Sequence, residues 1–360
     1  MSSELERRLE GLLTEAPEPD PGAGEEALHR ALRALQPLAP PRRGLRTAVL
    51  VFAAAAVLLA IAAGSLAAAG ALHVSFGAKK RPARPATAQL SLPKGANGIA
   101  AIVDGRLSVV IKGGFRLQGQ KASTVALSPH ALYIAVGIGN SLVAMAPDGR
   151  KAWSHPAGGA VVAIAWAPDG LRIAYIVRHG HRFALRVIYG NGAHDSRIDR
   201  SVRPVRPSWR PDSLALAYVS AGGKAIVYDL AHTSRAVIPS DSPVTHLAYA
   251  SSGRKLAVAT PDSVEVVPHG LRVASCSTVG IGWLAGKVAS ACETPFLTTL
   301  FPGHATPVPG EAKVIDASGE RVAMALAGRN RVVLVAGTPS RLATIERLPP
   351  GARVTDLQLG

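Results

Sequence analysis

The sequence is poor in aromatic residues, which make up only 4% of its 360 positions. A hydrophobic core must therefore be filled mainly by small and β-branched side chains. No segment interleaves arginine with aromatic residues, so the stacking surfaces of a nucleic-acid binder are missing. The composition argues against nucleic acid as a partner.

Cysteine is also scarce, with Cys276 and Cys292 as the two examples. Neither belongs to a CxxC pair or lies near paired histidines, so the common zinc patterns are excluded. The two thiols can form a disulfide if the domain faces an oxidising compartment. Alternatively, each thiol fills an apolar core on its own. The sequence leaves both interpretations open.

Motifs of catalysis are missing as well. No G-x-S-x-G sequence is present, so a serine hydrolase elbow is not indicated. Gly286 and Lys287 resemble part of a phosphate-binding loop. That motif needs glycine and serine or threonine where Ile281 and Val288 stand. We therefore predict no catalytic residue, no cofactor and no enzymatic activity.

Metal sites are poorly supported too. His179 and His181 are two positions apart, a spacing that places two metal ligands on one face of a strand. Arg178 and Arg182 flank them and would repel a cation. A later loop carries oxygen ligands without the tight alternation of a calcium loop. They are Asn191, Asp195 and Asp199. We predict no metal-binding residue.

The net charge of +16 is carried by residues 48–360, since the first 47 residues are nearly neutral. A basic domain favours anionic partners such as lipid headgroups or cell-wall polymers. An arginine-rich surface that serves only solubility gives the same composition. We expect a protein or an envelope polymer as partner, of unknown identity.

Residues 48–72 form the one long apolar run, with no charge in 25 positions. A bilayer core needs about 20 helical residues, so this segment is predicted to be a transmembrane helix. A signal peptide normally starts near the N-terminus and has a shorter apolar stretch. Basic residues flank both sides, but Arg42, Arg43 and Arg46 lie closest to the span. They predict a cytoplasmic N-terminus and an extracytoplasmic remainder.

The segment before the span, residues 1–47, is predicted to be a short helical tail. Leu5, Leu9 and Leu12 follow helical spacing, and a second apolar stripe covers 27–35. Each stripe is too short for a stable isolated helix. The tail is therefore either loosely ordered or bound to a partner. Residues 73–89 read as a linker.

Residues 90–360 contain internal repeats. The clearest copies are IAWAPDGLRIAYIV from Ile164, PSWRPDSLALAYVS from Pro207 and LAYASSGRKLAVAT from Leu247. Each consists of a strand, a turn of hairpin chemistry and a second strand. Six equivalent points lie 32 to 43 residues apart, close to the period of a four-stranded propeller blade. They are Leu127, Trp166, Trp209, Tyr249, Trp283 and Ile315. We interpret the tryptophans among them as packing residues.

The two ends of the repeat region predict a closed ring. The segment near Ile99 matches the second and third strands of a blade, with no first strand before it. The C-terminal ARVTDLQLG resembles the first-strand segment PVTHLAYA. Pairing the two would complete the first blade and remove exposed edges. The predicted fold is an all-β propeller of about seven blades.

The pattern WAPDGLRIAY, which begins at Trp166, resembles the TolB-like, WD-repeat-like propellers of bacteria. The order of tail, single span and basic propeller is similar to that of membrane-anchored actinobacterial proteins. This resemblance implies a non-catalytic binding or sensing scaffold at the cell surface. Two alternatives stay open: a regulator whose tail holds a cytoplasmic factor, as anti-sigma proteins do, and a propeller hydrolase or lyase.

Overall fold

The computed structural model describes Leu92 and residues 96–360, apart from 113–114, 269, 276–277, 293–295, 301–303, 309, 329–330, 340 and 350. The predicted tail (1–47), transmembrane helix (48–72) and linker (73–89) lie outside the described residues. Within the described part, no helix has the length and hydropathy needed to cross a membrane.

The described residues form seven antiparallel sheets of four strands each. In chain order the first blade contains β1 (Gly98–Val103), β2 (Arg106–Ile111) and β3 (Phe115–Lys121), and its innermost strand comes from the C-terminus. Blade 2 contains β4 (Val125–Leu127), β5 (Ile134–Ile138), β6 (Ser141–Met145) and β7 (Lys151–Pro156), with a 3₁₀ turn at Pro129–Ala131. Blade 3 contains β8 (Ala160–Trp166), β9 (Arg172–His179), β10 (Arg182–Tyr189) and β11 (Ser196–Asp199). Blade 4 contains β12 (Ser208–Trp209), β13 (Ala215–Val219), β14 (Ala225–Asp229) and β15 (Arg235–Ile238).

The last three blades follow the same order. Blade 5 contains β16 (His246–Tyr249), β17 (Leu256–Ala259), β18 (Ser263–Val267) and β19 (Leu271–Ala274). Blade 6 contains β20 (Thr278–Leu284), β21 (Lys287–Cys292), β22 (Phe296–Leu300) and β23 (His304–Pro307). Blade 7 contains β24 (Glu311–Ser318), β25 (Arg321–Gly328), β26 (Arg331–Thr338) and β27 (Arg341–Leu348), and β28 (Val354–Leu359) returns to blade 1.

The burial of the strands explains the alanine- and valine-rich composition. The middle strands β13 and β17 are buried along their whole length, because a neighbouring blade covers each of their two faces. Outer strands such as β7 alternate between exposed and half-buried positions. Small and β-branched side chains therefore suffice to fill the thin layers between blades.

The Pro-Asp-Gly turn has the hairpin role that its sequence predicts. The backbone N–H of Gly170 donates to the carbonyl of Ala167, and Gly170 has a φ of +72°, which glycine adopts without strain. A carboxylate oxygen of Asp169 accepts a hydrogen bond from the N–H of Leu171 at 2.8 Å. The turn in blade 4 repeats this bond between Asp212 and Leu214. Side chain and backbone thus fix the same turn in both blades.

The ring closes as predicted. Strand β28 pairs antiparallel with β1, with Leu359 opposite Ile99. The N–H of Asn97 donates to the carbonyl of Gly360, and the N–H of Gly360 donates to the carbonyl of Gly98, each at 2.9 Å. Seven blades and the ring closed by the C-terminal strand are both confirmed.

One of the equivalent points was misplaced. Trp283 in blade 6 pairs with Val288, and the corresponding pair in blade 7 joins Ala317 to Val322. Ile315, which the sequence favoured, lies two positions earlier in the strand. The prediction of Ile315 was wrong, since the register of the hairpin places Ala317 at that point.

The tryptophans pack between blades as predicted. The indole N–H of Trp209 donates to the carbonyl of Ala165 in the preceding blade at 3.0 Å. The indole N–H of Trp283 donates to the carbonyl of Ala248 at 2.8 Å. Both acceptors directly precede the equivalent aromatic residue of the neighbouring blade. Each indole therefore joins two innermost strands.

Candidate functional site: the central channel

The innermost strands surround a cavity of about 1230 Å³ at the centre of the ring. Every blade contributes residues to its lining, which makes the cavity a channel along the propeller axis. In propellers such a channel and the loops around its mouths are the usual places for ligands. The side chains in the middle of the channel therefore decide its chemistry.

An ion pair spans the channel. The guanidinium of Arg206, just before β12 in blade 4, pairs with the carboxylate of Asp356 on β28 in blade 1. The same guanidinium also donates to the carbonyl of Leu357 at 3.2 Å. Blades 1 and 4 are three positions apart in a ring of seven, so the arginine side chain reaches across the channel.

The carboxylate of Asp356 joins three blades. It accepts hydrogen bonds from the Thr124 hydroxyl at 2.7 Å and from the N–H of Val125 at 2.9 Å, both in blade 2. It also accepts from the N–H of Leu357 at 2.9 Å and from Arg206. A carboxylate that accepts hydrogen bonds from this many donors is fixed in position and acts as a structural group.

His246 lies beside this pair in blade 5. Its Nδ1 is 3.2 Å from the Thr245 hydroxyl and 3.4 Å from the Thr278 hydroxyl. Burial, aided by the positive charge of Arg206, lowers the pKa of His246 from 6.5 to about 4. The imidazole is therefore neutral near pH 7.

Asp316 is the second carboxylate of the channel and comes from blade 7. It accepts a hydrogen bond from the N–H of Leu359 in blade 1 at 2.7 Å. Burial raises the pKa of Asp316, while the charge of Arg206 opposes that rise. Like Asp356, this residue ties its blade to the neighbouring one.

Sequence reasoning did not find these polar residues, although a signal for them exists. Thr124, Arg206 and His246 stand three positions before the equivalent points Leu127, Trp209 and Tyr249. Asp356 stands three positions before Leu359, which aligns with Tyr249. When PVTHLAYA is aligned with ARVTDLQLG, His246 and Asp356 occupy the same position of their innermost strands. The four residues share one level of the channel because the innermost strands run in parallel around the axis.

The histidines considered as metal ligands lie elsewhere. His179 and His181 are exposed at the turn between β9 and β10, and so are Arg178 and Arg182. Among the residues that the structure describes, no group of histidine, cysteine, aspartate and glutamate is arranged to hold a metal ion.

The acidic residues of the later loop hold strands together. Asp195 accepts from the guanidinium of Arg186 and lies 3.0 Å from Nε2 of His155 in the preceding blade. Asp199 accepts a hydrogen bond from the Tyr218 hydroxyl of the following blade at 2.8 Å. Both carboxylates thus serve contacts between blades.

The proposed cysteine pair is described only in part. Cys292 is buried at the end of β21 in blade 6. Cys276 lies outside the described residues, so the bond between the two stays a prediction.

Comparison with known proteins supports the propeller. No protein-family model matches the chain. The Tol-Pal system protein TolB of Bordetella avium is 39% identical over 70 residues, which are 19% of this chain and 16% of that protein. The TolB protein of Bordetella pertussis is 40% identical over 70 residues, with the same coverage. The chain thus spans about 16% of the length of the curated relatives it matches. The protein carries a seven-bladed β-propeller that is similar to TolB proteins over a short part of its length.

Proposed function

We propose that the protein is a membrane-anchored, non-catalytic scaffold that binds or senses a partner at the cell surface. Residues 48–72 anchor it, the tail of residues 1–47 is cytoplasmic and the propeller is extracytoplasmic. The uncharged run of 25 residues and the arginines before it support the anchor and its orientation. The partner is a protein or an envelope polymer.

One observation supports the scaffold role most directly. The two carboxylates of the channel, Asp356 and Asp316, are engaged in holding blades together. Asp356 accepts four hydrogen bonds, and Asp316 accepts one from the neighbouring blade. A general acid or base must be able to exchange protons with a substrate, whereas these groups are occupied by the fold. The similarity to TolB of the Tol-Pal system points in the same direction, towards protein binding in the envelope.

Cysteine labelling in intact cells tests the topology. A cysteine placed at Ser75, just after the span, should react with a membrane-impermeant thiol reagent. The matched control places a cysteine at Ser3, in the tail, and should react only after lysis. Mass spectrometry of the labelled peptides distinguishes labelling at either introduced cysteine from labelling at Cys276 or Cys292. Labelling at Ser3 but not at Ser75 in intact cells would reverse the orientation.

Photo-crosslinking tests the scaffold role in the same cells. A crosslinking amino acid is placed at exposed positions on opposite faces of the propeller, such as His181 and Arg254. A scaffold gives a discrete crosslinked product from at least one face. The absence of any product from both positions would contradict the proposal.

A further inference from the structure

The hairpin turns that follow the innermost strands of blades 2 to 4 pack side by side on one face of the ring. We name this face, with its turns at residues 128–133, 167–171 and 210–214, the turn face. The N–H of Asp169 in one turn donates to the Ser213 hydroxyl in the next at 3.0 Å. A Cβ on Gly170 would lie 3.9 Å from the ring of Pro129. The turns thus form one continuous surface.

This surface presents a row of exposed leucines at the same turn position. In each blade the leucine stands two residues before the residue that pairs with the equivalent point. These leucines are Leu132, Leu171 and Leu214, which are 54%, 46% and 40% exposed. Tyr133, 40% exposed, stacks on Trp166 of the next blade at a centroid distance of 6.4 Å. Three adjacent blades therefore hold large apolar side chains in water, which is typical of a contact surface.

Positive charge flanks the leucine row. The corresponding turn of blade 5 has exposed Arg254 where the other turns have leucine. Lys151 of blade 2 is also exposed, directly after the turn from β6 to β7, which lies on the same side of the ring because strands of a blade alternate in direction. The turn of blade 5 adjoins that of blade 4, since a Cβ on Gly253 would lie 3.6 Å from the ring of Pro211. The carboxylates of these turns and of the neighbouring turn from β6 to β7 pair with arginines in the same turn or directly beside it. These pairs are Asp148 with Arg150, Asp169 with Arg172, and Asp212 with Arg210. The surface thus combines apolar anchors with a surplus of cations.

The chain enters the propeller at this same face. Gly98 begins β1 next to the turn of blade 2, where a Cβ on Gly98 would lie 3.3 Å from the Cβ of Ala131. The preceding residues lead back to the apolar run 48–72. The 23 residues from 73 to 95 separate that run from residue 96, a reach of about 80 Å at ~3.3 Å per residue. A tether of this length keeps the nearby membrane at a high effective concentration for the face at which it attaches.

We propose that the turn face docks on the membrane that anchors the chain and contacts its anionic lipid headgroups. Exposed leucines and a tyrosine can enter the interface between headgroups and acyl chains, while lysine and arginine attract the anionic lipids. This inference rests on the proposed anchor at residues 48–72. It adds that the propeller lies on the bilayer by a defined face, which leaves the opposite face, with His181, free for a partner.

Hydrogen exchange of the full chain in lipid nanodiscs tests the proposal. Discs of phosphatidylcholine with about 30% phosphatidylglycerol are compared with discs of phosphatidylcholine alone. If four-fifths of the molecules are docked, amides of the turn face exchange about fivefold more slowly in the anionic discs. Equal exchange in both kinds of disc, with the chain inserted, overturns the proposal. The proposal is also overturned if the turn face crosslinks to a protein in cells while its amides gain no protection from exchange in the discs.

Paired variants separate docking from general hydrophobicity. Leu171→Ser with Leu214→Ser should abolish the protection. The matched control, Val237→Ser with Phe296→Ser, removes apolar residues of similar exposure, 49% and 45%, from other parts of the surface, and should keep it. Loss of protection in both pairs would contradict the assignment of the face.

Failure of the anchor can be told apart from failure of docking. Alkaline extraction of the discs shows whether the chain is inserted. If it is not, flotation of the full chain with anionic vesicles decides: binding that the leucine pair abolishes supports the turn face, and absence of binding overturns it.

Discussion

Replacement of Asp356 by alanine should destabilise the propeller strongly, because its carboxylate joins blades 1, 2 and 4. The variant leaves the guanidinium of Arg206 in the channel without its counter-ion. It also removes the acceptor for the hydroxyl of Thr124 and for the N–H of Val125. The innermost strand of the closing blade loses its side-chain link to the neighbouring blade.

The magnitude follows from the burial of the pair. Breaking a fully buried ion pair costs about 3 to 5 kcal/mol. The side chain of Arg206 is 31% exposed and that of Asp356 is 12% exposed, so solvent screens part of this cost. The guanidinium of Arg206 can also turn towards solvent in the channel, whereas Thr124 and Val125 are buried and lose their acceptor outright. We expect a loss of about 3 kcal/mol in the free energy of unfolding, or about 6 to 12 °C in Tm for a domain of this size.

Denaturant unfolding of the full chain in detergent, followed by circular dichroism, measures the change. Thr355→Ala, an exposed position on the same strand, is the matched control and should change stability by less than about 0.5 kcal/mol. A double-mutant cycle with Arg206→Met should give a coupling of about 1 to 2 kcal/mol. A loss below about 0.5 kcal/mol for Asp356→Ala, or an additive cycle, would refute the role assigned to the pair.

Three further predictions concern the channel, the ring and the thiols. The pKa of His246, about 4 in the folded protein, lies below its ordinary 6.5, so the unfolded state binds more protons between these values. Stability is then complete above pH 6.5 and falls by up to about 3 kcal/mol as the pH drops to 4. His246→Asn should reduce this slope in pH-dependent unfolding and exposed His181→Asn should not; equal slopes would contradict the assignment. Deletion of residues 352–360 removes β28 and should lower Tm sharply in thermal unfolding, whereas a truncated chain as stable as the full one would contradict closure by β28. A disulfide between Cys276 and Cys292 should give one linked peptide in a non-reduced digest, and two separately alkylated peptides would disprove it.

The repeat pattern was sufficient to predict most of the fold. A Pro-Asp-Gly turn between two apolar strands encodes a hairpin locally, since the proline, aspartate and glycine each favour the turn conformation. The match between the C-terminus and the segment around His246 was enough to predict that the last strand completes the first blade and closes the ring. Blade 7 shows where this reasoning fails: its equivalent point is Ala317, and only the pairing with Val322 reveals the register.

The channel could not be assigned in the same way. Arg206 and Asp356 are 150 residues apart, and each reads as an ordinary polar residue in its own segment. Their pairing depends on how many blades close the ring, because that number decides which innermost strands face each other. The sequence by itself determined the propeller, its period and its closing strand, since these follow from local turn chemistry and strand periodicity. Only the tertiary structure decided that one arginine crosses the channel, that His246 is held neutral, and that three leucines line up where the chain enters, since these depend on distances between blades.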